Sequence, residues 1–221
     1  MYNLFHKDTK IQTKVINAKN FTYRLIIKYL ENVLDRKKMI LDYGSGAGTI
    51  DLYLANKGHS VIGLDISDTA IESAKLSASK LNFKNVNFWT LKDGLKKIRK
   101  VKFDLVICTE VIEHIENDIE LLKFLNSKLK RNGTIFLTTP SKNAPLYRLG
   151  LTNKFDLRVG HLRRYTEYQL RNLFVSAKFN IEAFYKTEGI LRNSLFLNPF
   201  LGKLVRFIRG PISDLVTIVD E

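Results

Sequence analysis

The chain has 221 residues, 45% hydrophobic and 26% charged, enough for one sizeable core and too ordinary a mix for wholesale disorder. Thirty-six Lys and Arg against 22 Asp and Glu give a formal charge of +14, which favours anionic partners but, spread in small clusters, names none. One cysteine, Cys108, excludes an internal disulfide, and no apolar leader or membrane-length apolar run is present, so a reduced, cytoplasmic protein, at most peripheral to a membrane, is expected.

In chain order, residues 18–34 read as an amphipathic N-terminal helix able to lie across the rim of a sheet. From there to about residue 140, short apolar runs alternate with longer amphipathic ones. Strands are predicted at 39–43, 60–65, 86–90, 103–108 and 134–139, and helices at 50–56, 68–81 and 118–129. Gly58 and Gly133 follow two of these helices, where a left-handed terminal residue is wanted. Such alternation means a parallel sheet with right-handed crossovers, a doubly wound α/β fold with helices on both faces. Residues 140–160 are less regular. Thr166 and Gln169 then form a capping box for a helix with an apolar stripe at Leu170, Leu173, Phe174 and Ala177. Two more strands are expected at 180–186 and 214–220, separated by an apolar, basic stretch at 189–213. With no repeat and no boundary, residues 1–221 read as one domain.

The sequence ILDYGSGAG at 40–48 runs from a strand through a glycine turn into a helix, and ligands of open α/β sheets bind beyond such strand ends. Glycines at 44, 46 and 48 give GxGxG, whereas a dinucleotide fingerprint wants its third glycine where Thr49 stands. Asp42 beside the turn opposes a pyrophosphate and suits a cationic or zwitterionic ligand. The second strand ends at Asp65, followed by Ile66, with a carboxylate placed for ribose hydroxyls. The third ends near Asp93 and Gly94, where an acid could accept from an adenine amino group. A ribose acceptor, an adenine acceptor and an acid near an amino-acid tail together describe S-adenosyl-L-methionine, or its product S-adenosyl-L-homocysteine.

On the segments ILDYGSGAG, VIGLDIS, FDLVICTEVIEH and GHLRRYTEYQLRNLF, the chain resembles class I S-adenosylmethionine-dependent methyltransferases, most closely the ubiquinone-pathway O-methyltransferase group. The resemblance covers roughly residues 20–187 and implies a Rossmann-like seven-stranded sheet with one antiparallel strand, completed by the two C-terminal strands. It assigns Gly44 and Gly46 to the methionine moiety, Asp65 to the ribose, Asp93 to the neighbourhood of the adenine, and Thr109, Arg24 and, within the turn, Ser45 to cofactor contacts. Tyr43 departs from it, since many relatives have a small aliphatic residue there.

Methyl transfer from a sulfonium is an in-line displacement, so the protein must align an acceptor and assist loss of its proton. His114 and His161 are the candidate bases. If a helix begins at Glu110, then Glu110, Glu113 and His114 stand at i, i+3 and i+4 on one face. In the matching relatives these residues hold a divalent ion with one later histidine, a place occupied here by His161. The leading expectation is O-methylation of a small phenolic, quinone or lipid-linked acceptor. The alternatives are 2′-O-methylation of an RNA end, by resemblance to small-RNA methyltransferases, and a cofactor-binding module without catalysis. Residues 201–209 also suit a basic amphipathic helix in peripheral contact with an anionic membrane.

Overall fold

A computed structural model describes residues 11–187, except Lys19 and Phe21. Five parallel strands are found among these residues: β1 (Met39–Tyr43), β2 (Ser60–Asp65), β3 (Val86–Thr90), β4 (Phe103–Thr109) and β5 (Leu129–Thr138). Their spatial order is β3-β2-β1-β4-β5. The helices are α1 (Arg24–Glu31), α2 (Thr49–Asn56), α3 (Asp68–Lys80), α4 (Leu91–Lys97), α5 (Asp118–Lys128), α6 (Pro145–Arg148), α7 (Asn153–Val159) and α8 (Glu167–Ser176).

The sheet divides the core in two. Ile40, Val61, Phe88, Leu105 and Ile107 face α1, α2 and α3, while Leu41, Ile62, Leu64, Val106 and Cys108 face α5 and the start of the C-terminal segment. This is the period-2 alternation of a strand buried on both sides. Phe103 breaks the alternation, lying with Val106 and Cys108 rather than with Leu105, because the β4–β5 register shifts between Phe103 and Leu105. Chain order reverses between β1 and β4, and the cleft opens where the C-terminal ends of these strands diverge.

Several expectations are corrected. The sheet has five strands among the described residues, not seven: residues 180–186 pair with none of them, and residues 214–220 lie outside them, as do 189–213 and the basic helix at 201–209. The N-terminal helix spans only Arg24–Glu31, because Asn20 turns its side-chain oxygen onto the Thr22 and Tyr23 amides and holds the chain in a turn up to that point. Gly58 is left-handed at φ +89°, as expected, but Gly133 is not; Asn132 takes that conformation at φ +61°. Gly133 is small for another reason, since an added Cβ would lie 3.0 Å from the Phe103 carbonyl oxygen. The capping box at Thr166 and Gln169 forms in full. No helix among the described residues is long and apolar enough to cross a membrane.

Candidate active site

Two ends of one cleft carry the polar groups. At the first, Gly44 (φ +91°) and Gly46 (φ +53°) turn the chain out of β1, and the Gly44 and Ser45 amides both donate to the Leu64 carbonyl at 2.7 and 3.0 Å. A Cβ on Gly44 would collide with the Val111 side chain, so glycine is required there for both conformation and space. Asp65 is buried, and its two carboxylate oxygens accept from the Gly46 and Ser67 amides, each at 2.8 Å. That carboxylate thereby fixes the turn while keeping a lone pair on each oxygen for a ligand hydroxyl.

Asp42, Ser45, Gly46, Asp65, Ile66 and Thr109 all line the cavity, with Gly44 between them. Ile66 is 62% exposed at its mouth. The Ser45 hydroxyl and Asp42 Oδ1 are buried and have no hydrogen-bond partner among the described residues, so both are open to a polar ligand. Burial, with the Asp65 charge assisting, raises the Asp42 carboxyl to about 7. Gln12, which sequence reasoning passed over, donates its side-chain amide to the Ala47 carbonyl at 3.1 Å and to the Thr49 hydroxyl at 3.0 Å, covering the turn from the N-terminal side.

Three of the predicted cofactor residues are not brought here. Asp93 is in the first turn of α4, its side chain 61% exposed beside Lys96 at 3.6 Å, and it does not line the cavity. Gly94 is packed under Leu64, where a Cβ would collide. Arg24 heads α1 but is absent from the lining, which takes Tyr23 and Leu25 on either side of it.

The second end follows β4. The expected helix from Glu110 does not form: Glu110 is left-handed at φ +54°, its carboxylate accepts from the Thr138 hydroxyl at 2.8 Å, and only Ile112–His114 make a 3-10 turn. Glu110 is therefore off the face it was expected to share. Glu113 is fully buried, with Oε2 accepting from the Thr139 hydroxyl at 3.0 Å and Oε1 without a partner. Burial, then the Glu110 charge, raises its carboxyl to about 8. The Leu162 amide donates to the Glu113 carbonyl at 2.9 Å, and this tie brings the irregular segment across the cleft.

Each histidine is oriented by that segment. His114 Nδ1 lies 3.0 Å from the Gly160 carbonyl, which can only accept, so Nδ1 carries a proton. His161 Nδ1 lies 2.9 Å from Asp156 Oδ1, and Arg164 grips the same carboxylate through Nε and Nη2 at 2.9 and 2.7 Å. Burial alone would raise Asp156, but Arg164 and His161 outweigh it and hold the carboxyl below its usual range. The ionised acid accepts a hydrogen bond from His161 Nδ1–H, and Nε2 faces Glu113 Oε1 at 3.9 Å. Burial lowers the His161 imidazole from its ordinary value, so it is neutral at pH 7. Glu113, His114 and His161 each offer one ligand atom, all within 4.8 Å of one another.

Asp156 and Arg164 were missed by sequence reading. The one signal was the pairing of an acid and an arginine around a histidine in FDLRVGHLRR.

Comparison with known proteins follows this geometry. The family described as "Methyltransferase domain" matches residues 17–183. A ubiquinone biosynthesis O-methyltransferase of Idiomarina loihiensis is 27% identical over 180 residues, covering 79% of this chain and 72% of that protein. One from Rickettsia typhi is 34% identical over 116 residues, covering 52% of this chain and 46% of that protein, so the chain matches less than half of its length. Among solved structures, magnesium protoporphyrin IX methyltransferase from Synechocystis with bound SAH superposes with a TM-score of 0.60 at 22% identity, covering 82% of this chain and 84% of that one. At that identity the likeness speaks for the fold alone.

Proposed function

Because this chain belongs to the methyltransferase-domain family, as a class I S-adenosylmethionine-dependent enzyme, we propose that it methylates an oxygen of a small phenolic, quinone or lipid-linked acceptor. The observation that carries this reading is the pair of imidazoles, His114 and His161, both at the cavity wall with Nδ1 committed to an acceptor. A hydroxyl acceptor needs such a base, because its oxygen must lose a proton as it is alkylated.

The cofactor supplies the activated methyl group. The residues at the glycine turn fit it: unpartnered buried groups on Asp42 and Ser45, and a backbone that tolerates no side chain at Gly44. In this reading Asp65 holds ribose hydroxyls, Asp42 faces the amino-acid ammonium, and Ile66 and Thr109 flank the ligand. Asp93, Gly94 and Arg24 have no role in it. The His114 or His161 Nε2 takes the acceptor's proton, and Glu113 holds the polar floor between them.

A second reading adds a divalent ion, favoured by a specific observation: three ligand atoms, one each from Glu113, His114 and His161, lie within 4.8 Å of one another. The two imidazoles already donate their other nitrogens to a carboxylate and a carbonyl, the outer-shell pattern of metal-binding histidines. Ligands about 2.1 Å from one ion lie about 3.0–3.5 Å apart, so the cluster would contract from its present spread. Glu113, His114 and His161, without Glu110, would hold such an ion, and its Lewis acidity would lower the pKa of an acceptor hydroxyl.

The experiment is methyl transfer from labelled S-adenosylmethionine to a panel of catechols, polyprenyl phenols and an RNA 3′ end, with and without chelator. Labelling of phenols supports the proposal, and labelling of RNA alone, with steep salt dependence, overturns it. Loss of rate with chelator and recovery on adding Mn²⁺ or Zn²⁺ selects the second reading.

A further inference from the structure

Behind Asp42 lies a second acid that the proposed chemistry does not use. Asp51, in the first turn of α2, is fully buried among Ile50, Leu52, Tyr53 and Leu54. Neither of its carboxyl oxygens has a hydrogen-bond donor among the described residues, and Asp42 Oδ1 also lacks one. Each acid acts on the other's charge, and Gly63, the ladder partner of Asp42, lies against Asp51. Two carboxylates are acceptors only, so any hydrogen bond between them requires a proton on one.

The fold makes room for this acid. Gly63, paired with Asp42 in the β1–β2 ladder, has no side chain; a Cβ there would lie 2.7 Å from Asp51 Oδ1. Among the described residues, the charged or titratable groups that act on the pair are Asp65, the Tyr23 hydroxyl and the Cys108 thiol. Among the described residues no cation acts on either acid's charge. Asp42 lines the cavity and Asp51 does not.

Resting on the cofactor reading above, we propose that Asp51 is a positioning residue that stays a neutral acid, donates its O–H to Asp42, and leaves the pair one negative charge at the cavity for the cofactor's ammonium group. Two ionised carboxyls side by side in a dry site would repel; one protonated and one ionised match a single cation. Burial raises Asp51 well above the usual carboxylate range and Asp42 to about 7, so below neutrality Asp42 is protonated as well. Cofactor uptake then expels the Asp42 proton to solvent at low pH and expels none at high pH.

The test is calorimetric titration of the whole chain with S-adenosylhomocysteine, which carries the ammonium without the sulfonium. Wild type, Asp51→Asn and Asp51→Leu are each measured in two buffers of different ionisation enthalpy, at about pH 6 and about pH 8. Wild type is expected to release up to one proton at the lower pH and none at the higher. Asp51→Asn, which copies the neutral acid's shape and donor, keeps affinity within about threefold and the same proton count, whereas Asp51→Leu loses about tenfold or more. A tenfold loss in Asp51→Asn, or buffer-independent heats for wild type at the lower pH, overturns the inference while leaving the cofactor reading intact. No binding by wild type overturns the cofactor reading itself. The wild-type proton count decides the matter even if Asp51→Leu does not fold.

Discussion

The two ends of the cleft are built from different material. At the glycine turn most bonds run from main chain to main chain or from main chain to Asp65, between residues 44 and 67, with the Gln12 side chain added from the N-terminal side. At the end of β4 Thr139 reaches Glu113 from 26 residues away and Gly160 reaches His114 from 46, while Asp156 holds His161 across five, and each bond involves a side chain. The first end is set by backbone conformation and fails when the chain cannot turn. The second is a side-chain assembly whose pieces can be removed one at a time.

That contrast is breakable by substitution, and the largest effect belongs to the second end. Asp156→Ala leaves the Arg164 guanidinium, 9% exposed, without its partner, and is expected to destabilise the fold by about 3 kcal/mol, read from denaturant unfolding. An unchanged midpoint there would mean that Asp156 only trims the surface. At the first end, Gly44→Ala forces a side chain into a left-handed backbone and into Val111, with an expected cost of about 1–3 kcal/mol in the same assay. Asp65→Ala should weaken S-adenosylhomocysteine binding by about 1–3 kcal/mol, with the circular dichroism spectrum preserved.

A smaller effect sharpens the electrostatic side. Asp51 is raised in the folded state and ordinary in the unfolded chain, so its contribution is favourable below the ordinary carboxylate pKa and is lost as pH rises. Asp51→Asn, which has no proton to lose, should therefore melt higher than wild type at about pH 8 and no higher at about pH 4. A gain that does not vary with pH would show that the acid is not titrating on unfolding. The smallest effect is at Asp93: Asp93→Ala should change cofactor affinity by less than about 0.5 kcal/mol, because the residue is on the exposed face of α4, away from the cavity.

The same division explains what could be read in advance. All five strands, β1–β5, were expected near where they stand, because period-2 burial writes itself into sequence as Val, Ile and Leu runs. Asp65 was legible because it ends such a run. Asp93 and Gly94 were assigned by position after β3, but a short helix, α4, begins at Leu91 and turns Asp93 outward; its seven residues carry too little periodicity to announce it. The residues around His161 could not be read as a site, since the Asp156–Arg164 grip exists only once α7 has formed and the chain has doubled back. Asp51 was visible and overlooked: an acid inside the apolar run from Ile50 to Ala55 has no reason to be there unless something buried needs it.

Gly160 carries one more consequence. It ends α7 in a left-handed conformation at φ +79°, nothing lies within 4 Å of where its Cβ would be, and its carbonyl fixes the tautomer of His114. A carbonyl is the same in every amino acid. Side chains around position 160 can therefore be rewritten, in evolution or at the bench, without moving the His114 ring, provided position 160 still allows the chain to bend the same way. If His114 is the base proposed above, selectivity for an acceptor is free to drift while that base keeps its orientation.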